Sequence, residues 1–209
     1  MSDYSSTLNL TPQIDRLLAA LDERPNAYLV AVVGIPGSGK STLCHALEKR
    51  LPSSVVLPMD GYHLPRSQLS PEEMKRRGSP PTFDTSKIRV ALENLRRIRS
   101  GSFPAFDHAT KDPEPNAIRV GTDCSLVIVE GNYLLLRDWN LEDCFDLTVF
   151  LDCDLNKAMD RVRKRLFECG ITASPEEAAR QVQSNDLINA RLILDDGAKE
   201  RAHLILRQE

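Results

Sequence analysis

Four short apolar runs interrupt a polar background, at residues 28–33 (YLVAVV), 54–59 (SVVLPM), 125–129 (SLVIV) and 147–151 (LTVFL). Each is continuous rather than alternating and rich in β-branched residues, which is the pattern of a strand buried on both faces. Residues 202–206 (AHLIL) read as a closing strand of the same kind. Between the runs the apolar spacing changes to i, i+3, i+4. Thr11-Pro12 opens a helix carrying Ile14, Leu17, Leu18 and Leu21 that ends before Pro25, and residues 41–50 place Leu43, Ala46 and Leu47 on one face. Asp84 or Thr85 caps a helix with Ile88, Ala91, Leu92, Leu95 and Ile98 in register, closed by Gly101. A basic amphipathic helix covers residues 155–168. Ser174-Pro175-Glu176-Glu177 is a capping box with proline at the first helical position, and it starts a helix running to about Leu194. Prolines 65, 71, 80 and 81 with Gly78 make residues 61–85 mostly irregular, and residues 102–123 read as loop with a hairpin near 118–120. Strands alternating with helices predict an α/β fold, a three-layer arrangement in which helices cover both faces of a parallel sheet.

Length and charge narrow the possibilities. A chain of 209 residues is the size of one domain, here spanning 1–209. Its net charge of −3 leaves no basic excess to neutralise a phosphate backbone, so nucleic acid is not expected as a partner. The first ten residues lack the basic start and apolar core of a secretory signal, and no apolar run reaches membrane-spanning length. Five cysteines without C-x-x-C spacing read as reduced thiols in a cytoplasmic protein.

The chemistry enters at Gly34-Ile35-Pro36-Gly37-Ser38-Gly39-Lys40-Ser41, followed by Thr42. This is the phosphate-binding pattern G-x-x-x-x-G-K-[ST], set between a predicted strand and a predicted helix. Glycines let backbone N–H groups converge on an anion, and the helix dipole favours its charge. Lys40 would reach the β- and γ-phosphates of ATP, and the Ser41 hydroxyl would bind Mg²⁺. In a parallel sheet, ligands lie beyond the carboxyl ends of the strands, where Gly34, Asp60, Glu130 and Asp152 fall. Glu130 is placed to hold Mg²⁺ with Ser41. Asp60, with Gly61 leaving the approach open, is placed to deprotonate an acceptor. Asp152 reads more readily as a polar strand end. Arg161 and Arg165 share a helix face from which a closing lid, about residues 156–175, would reach the phosphates. Arg163 and Lys164 read as a solvated face.

Beyond these positions the chain resembles the uridine kinase, phosphoribulokinase and pantothenate kinase superfamily of P-loop kinases. The loop 34–41, Met59-Asp60-Gly61-Tyr62-His63, Phe83-Asp84, Pro104-Ala105-Phe106-Asp107-His108, Val129-Glu130-Gly131-Asn132, Arg161 with Arg165, and Ser184-Asn185-Asp186 with Asn189 carry the likeness. The resemblance implies that Asp60 is the catalytic base. It also implies that Tyr62, His63, Phe83, Asp84, Asp107, His108 and Asn185 contact a small-molecule hydroxyl acceptor. Asp60-Gly61-Tyr62-His63 stands where uridine kinases carry Asp-Ser-Phe-Tyr, and Ala109-Thr110-Lys111-Asp112 where they carry Thr-His-x-Arg. The acceptor is therefore open among nucleosides, pantothenate, sugars and small hydroxy acids, as is a homo-oligomeric state. The competing function is a regulatory P-loop NTPase or GTPase. Against it, Asn156-Lys157 is followed by Met159 where a guanine-reading aspartate is required.

Overall fold

The computed structural model describes residues 10–107 and 109–208. Five strands, β1 (Leu29–Val33), β2 (Ser54–Pro58), β5 (Leu126–Gly131), β6 (Leu147–Cys153) and β7 (Leu204–Gln208), form one parallel sheet in the order β2-β5-β1-β6-β7. The closing strand thus begins and ends two residues later than its apolar run suggested. All five residues of β1 are buried, and they alternate between two cores. Val30 and Val32 pack with Leu43, Cys44 and Leu47 of α2 (Lys40–Arg50) and with Ile14 and Leu17 of α1 (Thr11–Asp22). Leu29, Ala31 and Val33 face the opposite core, built with α4 (Thr85–Ile98), α5 (Leu155–Glu168), α6 (Pro175–Gln181) and α7 (Leu187–Asp195). Each buried Leu or Val contributes about 1.5–3 kcal/mol, which is why the apolar runs end up at the centre of the sheet. This is the α/β arrangement, with helices on both faces, that the runs predict. Among the described residues no helix is long and apolar enough to cross a membrane.

Four local features depart from the sequence expectation. Residues 61–85 contain a short helix, α3 (Pro71–Lys75), held by a capping box between Ser70 and Glu73. Its Ser-Pro-Glu-Glu opening is the same signal as that at 174–177, here followed by little more than one turn. Helix α4 stops at Arg99 in the left-handed region (φ 61°), not at Gly101, and the Arg99 guanidinium lies over the Tyr28 ring at 3.4 Å. Residues 101–120 are mostly strand: β3 (Gly101–Asp107) pairs antiparallel with β4 (Asp112–Val120), with a bulge between Phe103 and Ala105. Proline cannot donate to a ladder, and Pro104, Pro113 and Pro115 mask the strand period in the sequence. Finally, a π-helical turn, Val182–Asp186, separates α6 from α7. Such turns occur frequently at functional sites.

Asp146 sets where β1 begins. Its Oδ2 accepts hydrogen bonds from the amides of Tyr28 and Leu29, both 2.9 Å, and Oδ1 accepts from Arg96 at 2.9 Å. Burial alone would raise its pKa. The two amides and the guanidinium outweigh that and hold the carboxyl below its ordinary value.

Candidate active site

The loop after β1 turns into α2 through two glycines with positive φ, Gly37 (79°) and Gly39 (96°). Gly39 is the residue preceding the first turn of α2. A Cβ on Gly37 would stand 2.2 Å from the carbonyl oxygen of Ala158, so α5 presses directly on the loop. Within the loop, Ile35 and Pro36 are buried, and Lys40 Nζ donates to the Ile35 carbonyl at 3.0 Å. Ser38 Oγ is buried beneath Gly34 with no hydrogen-bond partner among the described residues. Ser41 is exposed and Thr42 half-buried on the first turn of α2. A left-handed glycine leading into a helix start is a ready cradle for a phosphate.

Strand register brings the acids to this cradle. Pro58 pairs with Glu130 and Val32 with Glu130, so Asp60 follows two residues past the point where β2, β5 and β1 run level. Ser41 Oγ donates to Glu130 Oε1 at 2.9 Å. Burial raises the Glu130 pKa, opposed by the positive charge of Lys40, while Asp60 adds to the rise. Burial likewise lowers the Lys40 pKa, and Glu130 and Asp60 pull it back up. Three charges therefore act on one another here. A hydroxyl and a carboxylate side by side are hard oxygen donors, which fits Mg²⁺: that ion takes one or two protein oxygens and completes its shell with phosphate and water. Among the described residues no group of three His, Cys, Asp or Glu side chains comes together.

Asp60 is exposed, and its carboxylate takes part in no hydrogen bond or ion pair among the described residues. The glycine beside it does not keep an approach open, as expected from the sequence. A Cβ at Gly61 would lie 2.3 Å from the Pro104 carbonyl oxygen, because the β3–β4 ribbon fills that space. Gly131, after the other acid, is equally constrained, since a Cβ there would lie 2.5 Å from the Cβ of Met59. Gly61 is thus seated against backbone of the ribbon and Gly131 against the Met59 side chain.

The proposed acceptor contacts divide. Tyr62, His63 and Asp84 line a cavity of about 520 Å³ between α4 and the β3–β4 ribbon, with Phe103, Pro104 and Asn94 on its other walls. Burial raises the Tyr62 hydroxyl to about 12. His63 Nδ1 lies 2.9 Å from the Asp60 carbonyl oxygen. A carbonyl only accepts, so the ring proton sits on Nδ1 and Nε2 keeps its lone pair. Burial lowers the His63 pKa and favours this neutral ring, while Asp60 opposes the shift. Phe83 packs on that ring at 4.0 Å between centroids and joins Tyr133 and Trp139 in a buried aromatic cluster. Asp84 caps α4, accepting from Lys87 N at 3.0 Å and pairing with Lys87 Nζ at 3.0 Å. Asp107 accepts from the amides of Ala109 (2.8 Å) and Thr110 (3.2 Å), so its carboxylate shapes the ribbon turn. Asn185 donates to the Arg77 carbonyl at 3.1 Å rather than lining the cavity. His108 lies outside the described residues.

The α5 arginines also differ. Arg161 donates to Gln208 Oε1 at 2.7 Å and reaches the Gly37 carbonyl oxygen at 3.4 Å, joining the loop to the end of β7. Arg165 is exposed and its side chain makes no hydrogen bond or ion pair among the described residues, though its charge acts on Lys40. Arg163 pairs with Asp160 at 2.9 Å on the solvent side. Asp152 is held by Lys199 at 2.7 Å, a structural pair. Several residues near the site have no motif to announce them. Arg76 donates to the Ser184 carbonyl (2.5 Å) and to Asn189 Oδ1 (3.1 Å), and Tyr133 OH donates to the Gly78 carbonyl (2.6 Å). Arg77 holds Asp112 at 2.8 Å and so fastens the β3–β4 turn.

A family model described as "AAA domain" matches residues 30–183. The Schizosaccharomyces pombe protein "Putative uridine kinase C227.14" is 35% identical over 181 residues, covering 79% of this chain and 77% of its own. "ATP-dependent kinase YFH7" of Zygosaccharomyces rouxii is 32% identical over 230 residues, which cover 91% of this chain but only 60% of that longer protein. Among solved structures, a "putative fructose transport system kinase" from Silicibacter sp. TM1040 superposes with a TM-score of 0.83 at 34% identity, covering 95% of this chain and 99% of that one.

Proposed function

The chain belongs to the AAA-domain family of P-loop proteins and has kinase-named relatives, and on that premise we propose that it moves the γ-phosphate of ATP onto a hydroxyl of a small acceptor. The acceptor is nucleoside-like, pantothenate-like or a sugar. The observation that carries this reading is the Ser41–Glu130 contact at 2.9 Å beside buried Lys40, with the free Asp60 carboxylate one residue from the wall of the 520 Å³ cavity. A hydrolase that moves no group to a second substrate has no need of such a chamber.

The loop 34–42 and Lys40 hold the triphosphate in this scheme, the loop through backbone N–H groups and Lys40 through its ammonium. Ser41 and Glu130 would hold Mg²⁺, which supplies charge neutralisation on the phosphates. Asp60 accepts the proton of the acceptor hydroxyl as it attacks. Its own side chain is not occupied elsewhere, and the His63 bond to its carbonyl steadies the turn on which it sits. His63 Nε2 offers a lone pair at the cavity wall, which an acceptor hydroxyl can meet as donor. Arg161 and Arg165 offset charge developing on the transferred group, from a lid of about residues 156–175 within a single kinase domain. Five free thiols suit a reducing, cytoplasmic setting.

The test is a panel of uridine, cytidine, pantothenate, D-fructose and D-glycerate, assayed with ATP and Mg²⁺ for ADP release and for a phosphorylated product. One of them should stimulate ADP release, and Asp60→Asn should lower that rate by about 10²- to 10⁴-fold with ATP affinity retained. ADP release that no acceptor stimulates, or full transfer by Asp60→Asn, defeats the reading.

A further inference from the structure

One half-buried acid near the site has no task in this scheme. Asp186 ends the π-helical turn between α6 and α7, and its Oδ2 is shielded and has no hydrogen-bond partner among the described residues. A carboxylate oxygen left this way is costly unless some state of the protein satisfies it. The turn cannot easily move to relieve it. Arg76 grips the Ser184 carbonyl and Asn189, Asn185 bonds the Arg77 carbonyl, and Asn189 donates to the Gly78 carbonyl at 3.4 Å. Three residues of the 76–78 segment thus pin both sides of Asp186.

Helix α5 carries one arginine of its pair that has no side-chain partner among the described residues. Arg165 lies on α5, which packs against both α6 and the π-helical turn. Its charge opposes that of Lys40 in the phosphate cradle and favours that of Asp186. We propose that Asp186 is a positioning residue, a fixed anchor that takes the Arg165 guanidinium when a triphosphate occupies the loop and holds it against the γ-phosphate. This rests on the reading of Arg165 as a phosphate-facing cation. The charges that face Asp186 agree: burial raises its pKa, and Arg165 is the leading charge opposing the rise, with Arg76 behind it. The Tyr133 hydroxyl gives its one proton to the Gly78 carbonyl and has none left to donate to Asp186.

The anchor is read most directly without any acceptor, in a double-mutant cycle of Asp186→Asn and Arg165→Gln in the full chain. The probes are Mg²⁺–AMPPNP, which keeps a γ-phosphate, and Mg²⁺–ADP, which lacks it, both titrated by calorimetry. Each single variant should weaken AMPPNP binding by about tenfold, the scale of one charge-assisted contact. The double variant should be no weaker than Arg165→Gln alone, and ADP binding should be unchanged throughout. Asp186→Glu should recover part of the loss. Additive losses of about a hundredfold in the double variant, equal losses for ADP, or an Asp186→Asn protein that binds AMPPNP like wild type would each overturn the proposal. Because the cycle requires no phosphoryl transfer, its failure is distinct from a failure of the kinase reading, which the acceptor panel and Asp60→Asn decide.

Discussion

Gly61→Ala places one methyl group where the structure has backbone. The added Cβ would lie 2.3 Å from the Pro104 carbonyl oxygen, 2.7 Å from its carbon and 3.2 Å from the Ala105 nitrogen. None of these atoms can rotate away, since they belong to β3, which is paired to β4 on either side of the bulge. Relief therefore requires the ribbon or the Asp60 turn to retreat by about 1 Å, and overpacking of this kind costs about 1–3 kcal/mol. For a chain of this length, 2 kcal/mol corresponds to a fall in Tm of about 4–8 °C. The catalytic effect should be larger. A displacement of about 1 Å at a reacting group costs on the order of 10²-fold in rate, and the turn that shifts is the one carrying Asp60 and His63. ATP affinity should change little, because the loop and Lys40 hang from β1 and α2. Thermal denaturation, calorimetric ATP titration and acceptor-dependent ADP release together check the expectation. A Gly61→Ala protein with wild-type Tm and acceptor turnover would show that the ribbon does not sit against the Asp60 turn. Loss of ATP binding would show that the two halves of the site are not separable in this way.

Lys40→Ala should weaken ATP binding by about 10- to 100-fold, the value of a charge-assisted contact to phosphate, besides abolishing transfer; unchanged affinity would remove the loop assignment. Asp146→Ala strips two buried amides and Arg96 of their acceptor and should cost about 2–4 kcal/mol in urea denaturation. Because its folded pKa is depressed, Asp146 stabilises fully above the ordinary carboxylate pKa of about 3.9 and loses that contribution as pH falls through the lower folded value. The gap between wild type and variant should accordingly hold from pH 5 to 8 and narrow below about pH 4. A gap that stays constant into that acid range would refute the account.

The sheet was legible because its strands are continuous apolar runs, and α5 because its 3.6-residue period is unbroken. The ribbon was not, since Pro104, Pro113 and Pro115 fall inside it and the half-exposed strands keep little alternation. Helix α3 carried its Ser70–Glu73 signature in plain view, but the prolines around it concealed it. The π-helical turn has no sequence signal at all, as it depends on hydrogen bonds shifted by one residue. At the site, the glycines, Lys40, Ser41, Asp60 and Glu130 could be located because strand ends locate them. The side chains beyond them could not be ranked. Asp84 and Asp107 are as apt to cap a helix or turn as to grip a ligand, and here both do the local task. Arg76 and Arg77 act through partners over thirty residues away in the chain, which no local pattern records.

The order β2-β5-β1 has a consequence for how such proteins diversify. β2 and β5 are adjacent in the sheet, yet the whole of residues 59–125 lies between them in the chain. That single excursion carries Asp60, Tyr62, His63, Phe83, Asp84 and Asp107, while the phosphate loop, Glu130 and the α5 arginines lie outside it. Both of its ends are anchored in hydrogen-bonded parallel strands, so its interior can lengthen, shorten or be replaced without disturbing the register that seats the nucleotide. Inheritance can therefore rewrite this excursion as one contiguous block of coding sequence while the frame of the sheet stays fixed.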